Sequence, residues 1–409
     1  MSLQTSSDKL IFHMDVNSAF LSWESVFRLK NDPSCVDLRT IPSAIGGDQA
    51  TRHGIILAKS TLAKKCGVTT GEPIGAALEK CPDLVVIPPH MDIYREYSKQ
   101  FISLLEEYVP VMEQYSIDEV FCDMTGTQKL YGSPIDTAYM LKDKVRDALG
   151  FTVNVGISTN KLLAKMAGDF EKPDKVHTLF PSEVKEKMWP LPVHDLFSVG
   201  KSTADRLCRL GIFTIGELAA TDFSLLKGQF GEAQGRLLYE YSRGIAPDCL
   251  NSRKRENKGY GNSVTLAQDV TSLSEAYPIL LSLCETVCSR LRADGKKASR
   301  ITVSYTTKDF AKSSHQKSLL SQTDVTNEIY ETSCELLQEM WDLKTGLRLL
   351  GVQASQLGEE DMYQYHLLDF SSPSQNDRHE KLAKMDRAVD DIRRKFGKDA
   401  CIRSSLLKE

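Results

Sequence analysis

Two adjacent carboxylates, Asp118 and Glu119, stand in the apolar segment QYSIDEVFCDM at residues 114–124. Burying one unpaired carboxylate is costly and two neighbouring ones repel, so the pair must lie in water or meet a compensating charge. Adjacent side chains of a regular strand point to opposite faces, so the two acids act together best at a hairpin tip or a bulge. The segment therefore predicts two strand-like pieces within 111–124 that flank the acids.

A third carboxylate ends another strand. LIFHMDV at residues 10–16 predicts a short buried strand with Asp15 near its end, and SAFLSWESVFRL continues with helical spacing. Carboxylate oxygens are the ligands that Mg²⁺ prefers, and two such ions can stabilise the attacking and leaving oxygens of a phosphoryl transfer. On propensity alone an Asp-Glu pair is more often a solvated turn, so both interpretations stay open at this point.

Strand-like and helical segments alternate through about the first 180 residues, which favours an α/β or α+β core. From about 181 to 245 only helical, glycine-punctuated segments follow. A polar, basic stretch at 247–262 is typical of a tether, and the segments after it come in βαββαβ order. The pattern predicts several domains.

Composition limits the binding partners and the cellular compartment that can be expected for this protein. No apolar run approaches the roughly 18 residues of a membrane helix, so we expect a soluble protein with no membrane partner. Ten cysteines without CxxC spacing favour a reducing cytoplasm over a disulfide framework or a zinc site. The net charge of −4 argues against a wholesale nucleic-acid binder, but eight Lys and Arg residues within 290–317 predict a basic module.

The segment GKST at 200–203 imitates the end of a phosphate-binding P-loop, but Asp195 stands where that motif needs a glycine. A helix-hairpin-helix is the better interpretation, in which Gly200, Lys201 and Ser202 present N–H groups to a DNA phosphate. An ordinary αα-hairpin is the alternative.

Taken together, these segments resemble the Y-family DNA polymerases of the bacterial DinB/UmuC type, the translesion enzymes. HMDVNSAFLSWE, YSIDEVFCDMTG and VNVGISTNKLLAKMAGDFEKPDKV are similar to three motifs of that family in its order and spacing, and LAKSTLAKKCGVTTGEPI resembles its fingers segment. The resemblance covers about residues 9–357. It implies a multidomain right-hand fold with α+β and α/β parts: palm 1–18 and 91–180, fingers 19–90, helix-hairpin-helix thumb 181–246, linker 247–262, βαββαβ little finger 263–357 and C-terminal extension 358–409.

The resemblance implies a template-directed DNA polymerase that adds dNMPs from dNTPs to a primer 3′-hydroxyl, with low processivity and no proofreading domain, for translesion synthesis and repair. Asp15, Asp118 and Glu119 would be the catalytic ligands of two Mg²⁺ ions, assisted by the Val16 carbonyl. Phe20 falls at the steric gate that selects deoxynucleotides, although a core role for its ring stays open. A nucleotidyl cyclase and a non-catalytic DNA-binding repair factor are the rival functions.

The resemblance also assigns Ser18, Lys64 and Lys172 to the nucleotide. Thr61 and Lys64 stand where many relatives have a tyrosine and an arginine, and Ser198 takes the place of the first hairpin glycine. The residues expected to contact primer-template DNA lie in the thumb, the tether and the little finger: Gly200, Lys201, Ser202, Lys258, Lys308, Lys312, Lys317 and Arg348.

The C-terminal extension holds two further features. QYHLLDF at 364–370 resembles the peptides that bind the bacterial sliding clamp, which it would do through Gln364, Leu367, Leu368 and Phe370; loop packing is the alternative. The segment 378–398 predicts an amphipathic helix whose apolar side docks on the rest of the protein through Leu382, Met385, Val389, Ile392 and Phe396. We expect a monomer.

Overall fold

The computed structural model of this chain describes residues 9–48, 54–250, 256–358 and 373–406. These residues form two compact units, the first made of residues 9–47 and 55–250, and the second of residues 48 and 54 with everything described from 256 onward. In the first unit the strands are β1 (Ile11–Val16), β2 (Ser43–Gly46), β3 (Ile56–Lys59), β4 (Val85–Ile87), β5 (Val111–Gln114), β6 (Glu119–Asp123), β7 (Val153–Ser158) and β8 (Val176–Thr178). Its helices are α1 (Ala19–Asn31), α2 (Thr61–Lys65), α3 (Ile74–Lys80), α4 (Met91–Glu106), α5 (Gln128–Tyr131), α6 (Pro134–Leu149), α7 (Lys161–Gly168), α8 (Lys201–Arg209), α9 (Ile215–Ala220), α10 (Phe223–Phe230) and α11 (Glu232–Tyr241).

A five-stranded sheet in the order β5-β6-β1-β7-β8 forms the centre of the first unit. Its strands pair antiparallel except β7 with β8. Phe12 and Met14 of β1 join the core that α1, α4 and α6 cover, whereas Ile11 packs with Ala164 of α7 on the other face. β1 alternates buried side chains between the two faces, so Asp15 shares the α7 face with Ile11.

The backbones of α7 and β7 approach each other closely at Gly156. A Cβ added there would lie 1.9 Å from the carbonyl oxygen of Ala164 and 2.4 Å from the amide nitrogen of Gly168. Only glycine permits this approach. The close packing sets α7, and with it Lys165, beside the strands that carry the acids.

A smaller sheet in the order β3-β2-β4 lies in the segment predicted as fingers. β2 pairs antiparallel with β3 and parallel with β4. Ile56, Ala63 and Ile74 form the core beneath α2 and α3. This core fixes the end of β3 and the start of α2, which both face the candidate site.

The helical region predicted for 181–245 is present as α8 to α11. These helices pack around Leu207, Leu218, Leu226 and Leu238. The hairpin before α8 contains Ser198, whose φ of 72° lies in the left-handed region that favours glycine. Serine at the place of the first hairpin glycine therefore keeps the glycine-like backbone.

The second unit contains β9 (Gly259–Val270), α12 (Leu273–Ala293), β10 (Lys297–Thr307), β11 (Lys312–Thr323), α13 (Thr326–Met340), β12 (Leu347–Gly358) and α14 (Pro373–Phe396). The predicted βαββαβ order of its first six elements is confirmed. The strands form an antiparallel sheet in the order β11-β10-β12-β9. Ile301 and Val303 join the core with α12 and α13, so Thr302 and Ser304 point to the opposite face.

The predicted C-terminal helix is present as α14, but the prediction of the face that docks was wrong in part. Met385, Ile392 and Phe396 are 41%, 40% and 76% exposed, whereas Asp386 is 3% exposed. Arg292 of α12 contacts both Asp386 and Asp390. Ion pairs rather than the apolar stripe therefore set the rotation of the helix.

No helix among the described ranges combines the length and the apolar character needed to cross a lipid bilayer. The residues predicted to bind the sliding clamp, Gln364, Leu367, Leu368 and Phe370, lie outside the described residues.

Candidate active site

The pairing of β1 with β6 brings the predicted acids to one end of the central sheet. Asp15 is the register partner of Glu119, and the Val16 amide donates to the Asp118 carbonyl at 3.0 Å. Asp118 closes the turn after β5 and Glu119 opens β6. The adjacent carboxylates therefore occur where a turn meets a strand, as the sequence predicted.

Two side chains, His13 and Lys165, contact the Glu119 carboxylate. His13 Nε2 lies 2.9 Å from Glu119 Oε2, and Lys165 Nζ contacts the same oxygen. Burial raises the pKa of Glu119, but the hydrogen bonds from His13 and Lys165 outweigh it and bring that pKa down to about 2. Burial in turn lowers the pKa of His13, so a neutral imidazole donates from Nε2 while its Nδ1 has no partner in the described structure.

The other two acids have different surroundings. Lys172 Nζ contacts Asp15 Oδ2 and lies 2.9 Å from Asp169 Oδ1. Burial raises the pKa of Asp15, and Lys172 opposes this effect. Ser116 Oγ donates to Asp118 Oδ1 at 2.6 Å. Each acid thus has its own nearby partner.

A cavity of about 400 Å³ adjoins the acids. Its lining unites most residues that the sequence assigned to the metal and the nucleotide: Asp15, Val16, Ser18, Phe20, Lys64, Asp118 and Lys172. Lys59, Ser60, Thr61 and Thr70 complete its wall on the side of the smaller sheet. Glu119 lies beside Asp15, on the neighbouring strand β6.

Phe20 lines this cavity and is supported from behind. Its ring stacks on Tyr94 with centroids 4.9 Å apart and planes at 16°. The Tyr94 hydroxyl donates to Glu24 Oε2 at 2.9 Å, and His90 Nδ1 lies 2.9 Å from that oxygen. Because Glu24 is buried and bonded to both groups, the ring behind Phe20 has a fixed position.

Helix α1 begins at the cavity. Ser18 adopts a φ of 46° and its side chain does not cap the helix. The first N–H groups of a helix have no intrahelical partner and favour anions. The start of α1 at Ala19 therefore adds a positive potential to the wall that Phe20 shares.

The acids suit a divalent cation in their chemistry. Oxygen donors on two neighbouring strands, one of them in a desolvated carboxylate, are the ligand type that hard cations prefer. Within the described ranges, no three acid, imidazole or thiol groups are already arranged around a common point. Lys165 and Lys172 instead contribute the positive charge beside Glu119 and Asp15.

The predicted DNA contacts are divided between the two units. Gly200 is the N-cap of α8, and Lys201 and Ser202 are exposed on its first turn. A helix N-terminus with an exposed lysine favours a phosphate.

In the second unit the predicted contacts separate into two groups. Lys258, Lys308 and Lys312 are exposed, and Arg348 lies over the Phe310 ring at 4.9 Å. Lys317 pairs opposite Ile301 in the sheet, which places it on the helix-covered side, 2.7 Å from Glu335 of α13. Lys317 therefore does not lie on the open face of the sheet.

Sequence reasoning missed His13, Lys165, Lys59, Glu24 and Tyr94. His13 precedes Asp15 by two positions on a strand, so alternation alone places both on one face. The others depend on contacts between distant segments.

Carboxylates at neighbouring strand ends, beside a cavity with lysines and a helix N-terminus, form the type of site that performs nucleotidyl transfer. Comparisons with known proteins specify the class. Models of the impB/mucB/samB family match residues 14–169, those of its C-terminal domain residues 257–367, and a model of the DNA polymerase-iota thumb domain residues 194–246.

Curated relatives match nearly the whole chain. A DNA polymerase IV of Clostridium acetobutylicum is 44% identical over 98% of this chain and 99% of its own length. DNA polymerase IV 2 of Bacillus subtilis is 36% identical over 98% of this chain and 95% of its own.

Two solved structures resemble the fold. One, titled "Y-family DNA polymerase chimera Dbh-Dpo4(243-245)-Dbh", has a TM-score of 0.73 at 23% identity and covers 85% of this chain and 98% of its own. A Dbh ternary complex has a TM-score of 0.57 at the same identity and coverage. The chain belongs to the Y family of DNA polymerases, of the bacterial DinB type, and is by class a DNA-directed DNA polymerase used in translesion synthesis. The predicted right-hand fold class is confirmed.

Proposed function

We propose that this chain joins a dNMP from a dNTP to a primer 3′-hydroxyl under the direction of a template strand and releases pyrophosphate. The observation that carries the proposal is the meeting of Asp15, Asp118, Lys64 and Lys172 around one cavity, with Glu119 paired to Asp15. The volume of about 400 Å³ lies in the range of small-molecule sites.

We propose two Mg²⁺ ions as the cofactor, held by Asp15, Asp118 and Glu119 with the Val16 carbonyl. Bound ions would neutralise phosphate charge and stabilise the attacking and leaving oxygens. The protein keeps these acids in place: His13 and Lys165 hold Glu119 ionised, and the Ser116 hydroxyl orients Asp118.

Phe20 is the proposed sugar selector. Its ring forms part of the cavity wall and cannot retreat, because Tyr94 stacks behind it. A 2′-hydroxyl on the incoming sugar would meet this ring, so a ribonucleotide would bind in a displaced position. Small displacements of reacting atoms cost large factors in rate.

Lys64, Lys172 and Ser18 are the proposed nucleotide contacts. Lys172 lies between Asp15 and Asp169, where a triphosphate would compete for its ammonium group. Ser18 brings the N–H groups at the start of α1 toward the same ligand.

The thumb and the little finger are proposed to hold primer-template DNA by its phosphates. Gly200, Lys201 and Ser202 would contact one strand, and Lys258, Lys308, Lys312, Lys317 and Arg348 the DNA near the little finger. Lys317 would contribute least, because Glu335 already pairs with it. Phosphate contacts release counterions, so DNA affinity should fall steeply as salt rises.

We propose a monomeric cytoplasmic enzyme of low processivity that is recruited by the sliding clamp through residues 364–370. A peptide of this kind raises the effective concentration of the enzyme at the primer end. Deletion of 364–370 should abolish clamp-stimulated synthesis and leave extension without the clamp unchanged. Clamp stimulation that survives the deletion would contradict the assignment.

Primer extension tests the site. The double variant Asp118→Ala/Glu119→Ala should lose at least about a thousandfold in extension rate. Asp123→Asn is the matched control, because Asp123 lies at the other end of β6 and pairs with Lys9. A folded double variant that extends primers as well as the wild type would refute the proposed ligands. Absence of Mg²⁺-dependent extension by the wild type would favour a non-catalytic repair factor.

A further inference from the structure

The wall of the cavity formed by the smaller sheet carries two lysines. Lys59 ends β3 and Lys64 lies in α2, and both line the cavity. Within the described part of the chain, neither lysine forms an ion pair with a carboxylate. Lys59 Nζ instead donates to Thr70 Oγ1 at 3.0 Å, and Thr70 lines the same wall.

Charge is distributed unevenly around the cavity. The lining carboxylates, Asp15 and Asp118, both belong to the central-sheet side, and Lys172 on that side is matched by Asp15. Burial and the charge of Lys64 both lower the pKa of Lys59, and the charge of Glu72 opposes them in part. Two like charges on a partly desolvated wall favour the arrival of an anion.

The proposed reaction determines which anion would bind at this wall. The phosphate that is attacked must lie near Asp15 and Asp118, so the remaining phosphates of a nucleoside triphosphate extend toward the opposite wall. An ammonium group carries three donors and acts on phosphate as a point charge.

We propose that Lys59 binds the terminal phosphates of the incoming nucleotide together with Lys64, and that Thr70 holds the Lys59 ammonium in position. This inference rests on the proposed function and adds to it a residue that decides affinity for the triphosphate. Lys59 is therefore a binding residue for the polyphosphate rather than a support of the fold.

Three variants test the assignment. Lys59→Met keeps the length of the side chain and removes its charge, Lys59→Arg keeps the charge, and Lys65→Met is the control, because Lys65 is an exposed lysine of α2 outside the cavity lining. Lys59→Met should raise the KM for dNTP about tenfold or more, since a lost charge-assisted hydrogen bond is worth about that factor, and should change kcat much less. Lys59→Arg should keep most of the wild-type affinity for dNTP.

Tripolyphosphate is the probe that separates this inference from the proposed function. Calorimetry on the free enzyme should show weaker tripolyphosphate binding for Lys59→Met by a factor similar to that in KM, with Lys65→Met equal to wild type. Because this binding needs no catalysis, it decides the role of Lys59 even if the wild type fails to extend primers. Unchanged tripolyphosphate affinity in a Lys59→Met variant of wild-type melting temperature would overturn the inference. An equal loss in Lys59→Arg would also overturn it, because only the lysine geometry would then matter.

Discussion

Lys165→Met tests how the site holds Glu119. Lys165 Nζ and His13 Nε2 both reach Glu119 Oε2. The side chains of Lys165 and Glu119 are only 14% and 17% exposed, so solvent screens their attraction in part. Methionine retains the apolar stem and removes the ammonium group, which leaves Glu119 with a neutral donor.

The expected size of the effect follows from these contacts. A hydrogen bond to a charged group contributes about 1.5–3 kcal/mol. Because His13 remains and screening is partial, we expect Lys165→Met to lower the free energy of unfolding by about 1–2 kcal/mol. For a unit of this size that change lowers the melting temperature by about 2–8 °C.

The pH dependence identifies the cause. The pKa of Glu119 is about 2 in the folded protein and 4.5 in its ordinary environment. Since the folded value is the lower one, the stabilisation from an ionised Glu119 is complete above pH 4.5 and is lost as the pH falls toward 2. The difference in melting temperature between wild type and Lys165→Met should therefore be full at neutral pH and shrink in acid. Thermal unfolding at constant ionic strength measures it.

Added Mg²⁺ supplies a second measurement. An ion that binds Glu119 Oε2 in the wild type must displace the Lys165 ammonium group from that oxygen, so the variant should gain more stability from Mg²⁺. A ligand at a hundred times its Kd adds about 2.7 kcal/mol. A destabilisation that is the same in acid and at neutral pH, with no larger response to Mg²⁺, would refute this reasoning. Lys165 would then act through cation–π contacts, since its Nζ lies 5.7 Å from the Tyr115 ring centroid and 5.5 Å from that of Phe197.

Three further substitutions test other parts of the structure. Phe20→Ala removes the ring that stacks on Tyr94 and should raise ribonucleotide incorporation about tenfold or more, measured by single-nucleotide insertion; wild-type sugar selectivity would show that Phe20 is only a core residue. Ser198→Gly should raise the free energy of unfolding by about 0.5–1 kcal/mol, because glycine adopts a positive φ without steric cost. The larger conformational entropy of glycine in the unfolded chain offsets part of this gain. A lower melting temperature would contradict this prediction. Arg292→Met should lower the stability of the second unit by about 2–4 kcal/mol in urea unfolding, because it removes one of the two guanidinium groups that contact the buried Asp386; a loss below about 1 kcal/mol would mean that the remaining partners of Asp386 suffice.

Local sequence signals account for much of the backbone. The helix predicted at about 134–149 is α6, Pro134–Leu149. Ser133 caps it by accepting from the Asp136 amide, proline occupies its first position, and Gly150 ends it with a φ of 82°. Each of these signals acts within one or two turns and is visible in the sequence.

The contacts of the site are less predictable, because they depend on how elements pack. Lys165 reaches Glu119 only because α7 lies close against β7 at Gly156, a position whose neighbours no local pattern reveals. The three acids could be found because each lies at or next to the end of a strand and because their motifs resemble a family. Lys59 offers no such signal: a lysine at the end of a short strand is more often solvated.

Helix α14 shows why a hydrophobic pattern does not determine which face is buried. Asp386 accepts from the Thr326 amide at 2.7 Å, at the start of α13, and contacts Arg292 and Arg403. Asp386 is stabilised by the positive end of a helix dipole and by two guanidinium groups. Together these interactions contribute more free energy than the burial of any single apolar residue of the stripe. The helix therefore turns toward the side on which Asp386 meets these donors. Part of the apolar stripe stays in contact with water, because burying all of it would move Asp386 away from both arginines and from the start of α13.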